Sequence, residues 1–122
     1  MSSVVSALKK ANSLQDYWSP KVIADVDDAY VKVAKLKGSL AWHTHDEEDE
    51  AFFILSGRLL IQTESGDVQL EQGDFYVVPK GVAHNPIAEK ECCVLLVERK
   101  STLHTGTLIT ERTRSIDEQM TE

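Results

Sequence analysis

The chain lacks the features of a membrane-spanning or disulfide-stapled protein. Its 122 residues include only two cysteines, and no apolar run approaches the roughly 18 residues that a membrane-spanning helix needs. The N-terminal stretch MSSVVSALKKANS has its lysines after a very short apolar patch, which is not the order found in a secretory signal peptide. These absences predict a cytoplasmic protein that does not associate with membranes.

The two cysteines, Cys92 and Cys93, are neighbours in the sequence. On a β-strand, neighbouring side chains point to opposite faces, and a disulfide between them requires strained geometry. Both thiols are therefore predicted to be reduced and packed, as is usual in the cytoplasm. A nucleophilic cysteine is the minor alternative, because a buried strand cysteine is ordinarily inert.

Basic residues are also scarce. Thirteen Lys and Arg stand against twenty Asp and Glu, which gives a formal net charge of −7. This balance repels nucleic acids and anionic membranes. Ahead of the β-rich region there is no room for a helix-turn-helix, which argues against a complete transcription factor.

The chain is rich in short blocks of β-forming residues. Hydrophobic residues make up 42% of it, and a chain of this length can bury about two thirds of its unfolded surface in one domain. Short polar or glycine-containing turns separate these blocks, as expected for an all-β sandwich or barrel. The blocks are KVIADV, AYVKVAKL, LAWHTH, EAFFILS, RLLIQTE, DVQLE, DFYVVP and ECCVLLVER.

Composition divides the chain into three segments. Residues 1–20 are predicted to form an N-terminal arm, in which SVVSALKKA has helical spacing and Pro20 ends any helix. Residues 21–100 hold the β blocks and are predicted to form the barrel. Residues 101–122 are polar, with mixed charge, and are predicted to lie over the surface or to fray.

The stretch HTHDEEDEAFFILSG carries the densest chemistry. On a strand, His43 and His45 would point to the same side with Cβ atoms about 6.5 to 7 Å apart, so two imidazoles could share one metal ion. Strand parity puts Glu50 on the same face as the apolar residues Phe52 and Ile54. His84 comes after the turn PKGVA and is the natural fourth ligand from another strand.

Three neutral imidazoles and one carboxylate suit iron, manganese, nickel, zinc, copper or cobalt, and suit calcium poorly. Four protein ligands leave two positions of an octahedral ion open, as a reactive site requires. Asp49 competes with Glu50 as the carboxylate ligand, but strand parity favours Glu50. Because ligating imidazoles are neutral, metal affinity is predicted to fall as the pH drops through roughly 6.5.

Other conspicuous residues have simpler interpretations. The acidic run 46–49 is predicted to be a solvated loop at the mouth of the barrel, where it would discourage anionic substrates. His104 has no partner at a useful spacing and is predicted to be a loop histidine. Trp42 alternates with the ligands and is predicted to face away from the metal, into a core layer or a subunit contact. The predicted pocket residues are Phe52, Ile54 and Tyr76.

Two motifs resemble those of the cupin family. GSLAWHTHDEEDEAFFILSG resembles the first cupin motif, in which two histidines one residue apart precede a glutamate and, after six more residues, a glycine. Here these are His43, His45, Glu50 and Gly57. GDFYVVPKGVAHNP resembles the second motif, which ends at the ligand His84. The interval from Glu50 to Gly57 again favours Glu50 over its neighbour.

The sequence departs from the cupin pattern in two places. Four residues separate Gly38 from His43 where the usual pattern has five, and the asparagine that often follows the second-motif histidine falls at Ala88. Neither departure removes a ligand. Only fifteen residues lie between Gly57 and Gly73, a linker short enough to imply a compact, microbial-type cupin.

The resemblance covers residues 22–99 and implies a single-domain cupin, a double-stranded β-helix or jelly-roll-like barrel with a short N-terminal helical arm. It also implies a homodimer, and the arm could cross to the partner. Because this fold hosts many activities, two functions stay open. One is a metal-dependent dioxygenase or isomerase acting on a small oxygen-bearing molecule, and the other is a non-catalytic module that binds a metal or senses a small molecule. Metal-free sugar-nucleotide epimerisation is disfavoured, since all four ligand types are retained.

Overall fold

The computed structural model describes residues 4–102 and 114–120. The strands of its sheet pair in antiparallel fashion, which confirms the predicted all-β fold with a short N-terminal helix. In chain order the elements of the described residues are α1 Ala7–Ser13, β1 Lys21–Val26, β2 Ala29–Ser39, β3 Glu50–Ser56, β4 Leu59–Thr63, β5 Gly66–Leu70, β6 Phe75–Val78, β7 His84–Arg99 and α2 Ile116–Met120.

Strands β1 and β2 form a tight hairpin. Val26 pairs with Ala29, so the loop consists of two aspartates. Asp27 has a φ of +48°, and two-residue hairpin turns need such positive values, which Asp adopts more readily than most residues. The turn therefore fixes the register of β2 within the sheet.

The long strand β7 organises the rest of the sheet. Its first residues, 84–87, pair with β4, whereas its second half lies between β2 and β3. The strand order is β1-β2-β7-β3-β6, with β4 and β5 attached through the beginning of β7. Both ends of β7 approach the start of β3, because His84 and Glu98 each lie beside Glu50. One curved strand thus contributes two side chains to the same region.

The two faces of the sheet are packed differently. Cys92 belongs to the main core enclosed by the strands, whereas Cys93 packs on the outer face against Ala11 of α1 and Val33. The predicted alternation of the two cysteines is therefore confirmed, and both thiols are free. Burial and the neighbouring Cys93 raise the pKa of Cys92 to about 12, which argues against a nucleophilic thiolate at that position.

Helix α1 covers this outer face. Ser6 caps it, since its Oγ accepts a hydrogen bond of 3.3 Å from the backbone N–H of Lys9. Its Ala11 is fully buried against the sheet. Within the described ranges 4–102 and 114–120, neither helix has the length and hydropathy needed to cross a bilayer.

Two parts of the β pattern differ from the prediction. LAWHTH does not form a regular strand: only His43 makes a bridge, to His84. Conversely, β7 begins at His84 rather than at the block ECCVLLVER. The reason is that residues 84–87 find partners on β4, a long-range pairing that the polar, proline-containing stretch HNPIAEK does not reveal.

The described part of the polar tail contains a helix that was not predicted. Ser115 and Glu118 form a capping box, in which Ser115 N donates to Glu118 Oε1 at 2.8 Å and Glu118 N donates to Ser115 Oγ at 3.2 Å. Gln119 of this helix is 2% exposed, and Lys21 Nζ of β1 donates to the Glu118 carbonyl. The sequence signal was the S-x-x-E pattern, which marks a helix start.

Candidate metal centre

The four predicted ligands come from three chain segments that meet at one point. The backbones of His43 and His84 are directly paired, each N–H donating to the other's carbonyl at 2.9 Å. Glu50 is the first residue of β3. His45 lies on the connecting loop, where its carbonyl accepts a hydrogen bond of 2.8 Å from Gly81 N. Two backbone attachments thus hold the HTH segment against the turn that precedes β7.

The side chains of these four residues converge. One potential ligand atom from each lies within 4.8 Å of all the others. His45 Nε2 and His84 Nε2 are each 3.3 Å from Glu50 Oε1, and the ring centroids of His43 and His84 are 4.3 Å apart. All four residues are at most 5% exposed. This is a closed cluster of three imidazoles and one carboxylate.

Backbone carbonyls orient two of the imidazoles. His43 Nδ1 lies 2.9 Å from the carbonyl oxygen of Ala41, and His84 Nδ1 lies 3.0 Å from that of Val82. Since a carbonyl oxygen only accepts, each Nδ1 carries the hydrogen and each Nε2 keeps its lone pair. Such a hydrogen bond on the far ring nitrogen is how proteins orient metal-ligating histidines.

His45 supplies the structural argument for an ion. Within residues 4–102 and 114–120, neither of its buried ring nitrogens has a hydrogen-bond partner. Its Nε2 lies 3.3 Å from Glu50 Oε1, but the two atoms do not form a hydrogen bond. Leaving a buried polar nitrogen unsatisfied is costly. A cation bound among the four side chains would satisfy it, so the donor set fits a transition metal.

The electrostatics of the cluster also suit a cation. Burial, followed by the charge of nearby His84, lowers the pKa of His43 to about 4. Burial alone would raise the pKa of Glu50, but the close approach of His45, His84 and Glu98 outweighs it, and the pKa lies well below its usual value. At neutral pH, His43 is neutral and Glu50 is ionised, as ligation requires. For His43, proton competition therefore begins nearer pH 4 than the 6.5 expected for an unperturbed imidazole.

A second buried acid, Glu98, lies directly beside Glu50 and was not predicted from the sequence. Glu98 is the cross-strand partner of Glu50, and its Oε1 lies 2.9 Å from Lys32 Nζ, with both side chains at most 1% exposed. Burial and the charge of Glu50 raise the pKa of Glu98 well above its usual value. A signal existed, since Glu98 shares strand parity with the inward-facing Val94 and Leu96.

A small cavity of about 30 Å³ adjoins the cluster on the side of His43 and Glu50. Of the three predicted pocket residues, Phe52 lines it, whereas Ile54 and Tyr76 do not. Ile54 has the same parity as Phe52 but lies further along β3, inside the main core, and Tyr76 packs against that core from β6.

The remaining predicted residues have simpler positions. Asp49 turns away from the cluster, because its Oδ1 accepts a hydrogen bond of 2.9 Å from Lys80 N. Trp42 is 49% exposed, which excludes the predicted position in a core layer. His104 lies outside the described residues.

Residues 29–98 match the Cupin_2 family, the cupin domain. The chain belongs to the cupin family, as the two motifs predicted. Its all-β architecture with a short N-terminal helix is a cupin fold.

Three relatives indicate how far the similarity extends. An uncharacterized Bacillus subtilis protein, YdbB, is 32% identical over 101 residues, which span 82% of this chain and 89% of that protein. The crystal structure of a cupin-2 domain containing protein from Shewanella frigidimarina is 36% identical, with a TM-score of 0.77, covering 80% of this chain and 95% of that one. Hydroquinone 1,2-dioxygenase from Sphingomonas, at 23% identity and a TM-score of 0.73 over 81% of this chain and 32% of that one, shows the shared fold alone.

Proposed function

We propose that this cupin is a metal-dependent enzyme of the dioxygenase or isomerase type that acts on a small oxygen-bearing molecule. His43, His45, Glu50 and His84 would hold a divalent transition metal: iron, manganese, nickel, zinc, copper or cobalt. The observation that carries the proposal is the convergence of four buried donor atoms within 4.8 Å, one of them on a histidine whose ring nitrogens have no hydrogen-bond partner among the described residues.

The residues around the metal would have different roles. The carbonyls of Ala41 and Val82 orient His43 and His84, so that each presents Nε2. Glu50 contributes the negative charge that a divalent ion requires. The cavity beside His43 and Glu50 is where a substrate would lie. The metal would supply Lewis acidity and two open positions for oxygen ligands.

Metal content is the direct test of the site. Protein purified without added metal and analysed by mass spectrometry of the elements is expected to contain close to one transition metal ion per chain. His45→Ala should lose the metal while keeping its circular dichroism spectrum. Glu48→Ala is the matched control, because Glu48 lies on the neighbouring loop and accepts its hydrogen bond from Ser101. A wild-type protein that binds no first-row divalent ion would remove the basis of the proposal.

One observation favours the alternative of a non-catalytic metal-holding module. A water molecule needs about 10 to 15 Å³ of such space, so the cavity of about 30 Å³ accommodates only a few atoms. Water-proton relaxation of the Mn²⁺-loaded protein separates the two functions. Marked enhancement means exchangeable water on the metal and supports an enzyme, whereas only the weak enhancement that a buried ion exerts on uncoordinated water supports a closed, structural site.

A further inference from the structure

Trp18 forms one wall of the cavity beside the candidate metal centre. It precedes β1 in the chain and is only 4% exposed, and it lines the cavity together with Pro20, His43 and Glu50. The N-terminal arm thus contributes directly to the space in which a substrate would lie. None of the cupin motifs in the sequence includes this segment.

The indole is held in place by β2. Trp18 N donates a hydrogen bond of 2.9 Å to the carbonyl of Lys35, and Nε1 donates one of 2.8 Å to the carbonyl of Lys37. The residue has a φ of +58°, a left-handed conformation that bulky residues adopt only when their surroundings enforce it. Trp18 therefore occupies a fixed position rather than sampling several.

The rest of the cavity is apolar. Apart from His43 and Glu50, the described side chains around it are hydrocarbon or aromatic, among them Leu36, Leu40, Phe52 and Leu96. A negatively charged substituent placed there would lose its hydration without gaining a cationic side chain as a partner. Its volume of about 30 Å³ leaves room for little more than about two waters, so a group placed beside the indole must be small.

We propose that Trp18 is the specificity-determining residue of this site and restricts it to small, uncharged molecules with a short apolar body and an oxygen-donor group. The inference rests on the proposed function, because the oxygen donors would occupy the open positions of the metal. It adds the size and polarity of the substrate, which the ligand set alone does not specify.

Hydroxamates are suitable probes, since they bind a metal through two oxygens and differ only in the attached group. The protein would be loaded with Co²⁺ and titrated with acetohydroxamate and benzohydroxamate, and the dissociation constants would be read from the visible Co²⁺ absorption. Wild type is expected to prefer acetohydroxamate by about tenfold or more. Trp18→Ala should abolish or reverse that preference, mainly by tightening benzohydroxamate binding.

Trp42→Ala is the matched control, because Trp42 is the other tryptophan of the chain, adjoins His43 and is half exposed. It should leave the preference unchanged. Trp18→Leu is the second variant, should Trp18→Ala fail to fold. Succinic acid monohydroxamate, which carries a carboxylate, should bind wild type about tenfold more weakly than acetohydroxamate does.

The outcomes separate the inference from the function beneath it. If acetohydroxamate shifts the Co²⁺ spectrum but the preference is the same in wild type and both Trp18 variants, the specificity role is wrong and the metal site stands. Equal binding of the carboxylate-bearing probe overturns the requirement for an uncharged ligand. If Co²⁺ does not bind, or no hydroxamate changes its spectrum, the proposed function fails and the inference fails with it.

Discussion

Two buried polar clusters lie side by side in this protein, and only one of the two contains a cationic side chain. In the first, His43, His45 and His84 surround Glu50 without any cationic side chain of their own. In the second, Glu98 lies 2.9 Å from the ammonium of Lys32. The first cluster could hold a cation from outside the chain, whereas the second contains the ammonium of Lys32.

The clusters meet at the cross-strand pair of Glu50 and Glu98. Two adjacent buried carboxyls cannot both ionise cheaply, so their pKa values move apart. Accordingly, the pKa of Glu50 is lowered and that of Glu98 is raised. Glu50, the candidate ligand, is the ionised carboxylate, and Lys32 lies beside Glu98. A buried acid can thus be an ionised candidate ligand, like Glu50, or the partner of a buried lysine, like Glu98, whose raised pKa Lys32 opposes.

The largest expected effect comes from breaking the internal pair. Lys32→Met leaves Glu98 buried without its cation, and the free energy of unfolding of the metal-free protein should fall by about 3 to 5 kcal/mol. Urea denaturation measures it. The double variant Lys32→Met/Glu98→Leu should recover most of this loss, because well-packed apolar residues replace buried ion pairs at little cost. A double variant as unstable as the single one would contradict the ion-pair interpretation.

Metal addition should act on the first cluster alone. At a metal concentration about a thousand times the dissociation constant, wild type should gain about 4 kcal/mol of unfolding free energy. His84→Ala should gain little, since a ligand is missing, whereas Lys32→Met/Glu98→Leu should keep most of the gain. Urea denaturation with and without Co²⁺ gives these values. Equal gains in wild type and His84→Ala would mean that the ion binds elsewhere.

In the metal-free protein, acid should lower the free energy of unfolding through His43 of the first cluster. The pKa of His43 is lowered from 6.5 to about 4, so between these values the unfolded chain takes up a proton that the folded chain excludes. The free energy of unfolding should therefore fall by about 3 kcal/mol as the pH drops from 6.5 to 4. His43→Leu should remove this part of the pH dependence. A wild-type and variant pair with parallel pH profiles would show that His43 is not buried in its neutral form.

The smallest effect is expected for an exposed ion pair between the end of β7 and the turn that joins β1 to β2. Arg99 follows Glu98 in β7, and its Nε lies 3.9 Å from Asp28 Oδ2, with both side chains more than half exposed. Water and salt screen such a pair, so Asp28→Asn should change the free energy of unfolding by less than about 1 kcal/mol. The difference between the losses of unfolding free energy in Lys32→Met and Asp28→Asn, measured in the same urea assay, shows how much burial increases the contribution of such a pair. A loss as large as that of Lys32→Met would remove the distinction between the two pairs.

Predictions from the sequence succeeded where the signal was local. The block EAFFILS matches β3 in full, and the two cysteines face opposite sides of the sheet, because strand alternation follows from the backbone itself. The HTH segment is the instructive exception. Its histidines do reach the cluster, but the only backbone pairing of this segment is the bridge from His43 to His84. Because His84 lies far away in the sequence, local alternation does not predict that pairing.

The amino-acid sequence specifies which chemical groups are available and which segments can form strands. Donor types, their order in two motifs and the alternation of apolar residues are written in the chain, and they were enough to assign the family. The three-dimensional packing, by contrast, places Glu98 beside Glu50, Lys32 beside Glu98 and Trp18 on the wall of the cavity. The physical reason is that local periodicity tells which side of a strand a residue occupies. What it touches there depends on the register between strands distant in the chain, which long-range hydrogen bonding and packing set together.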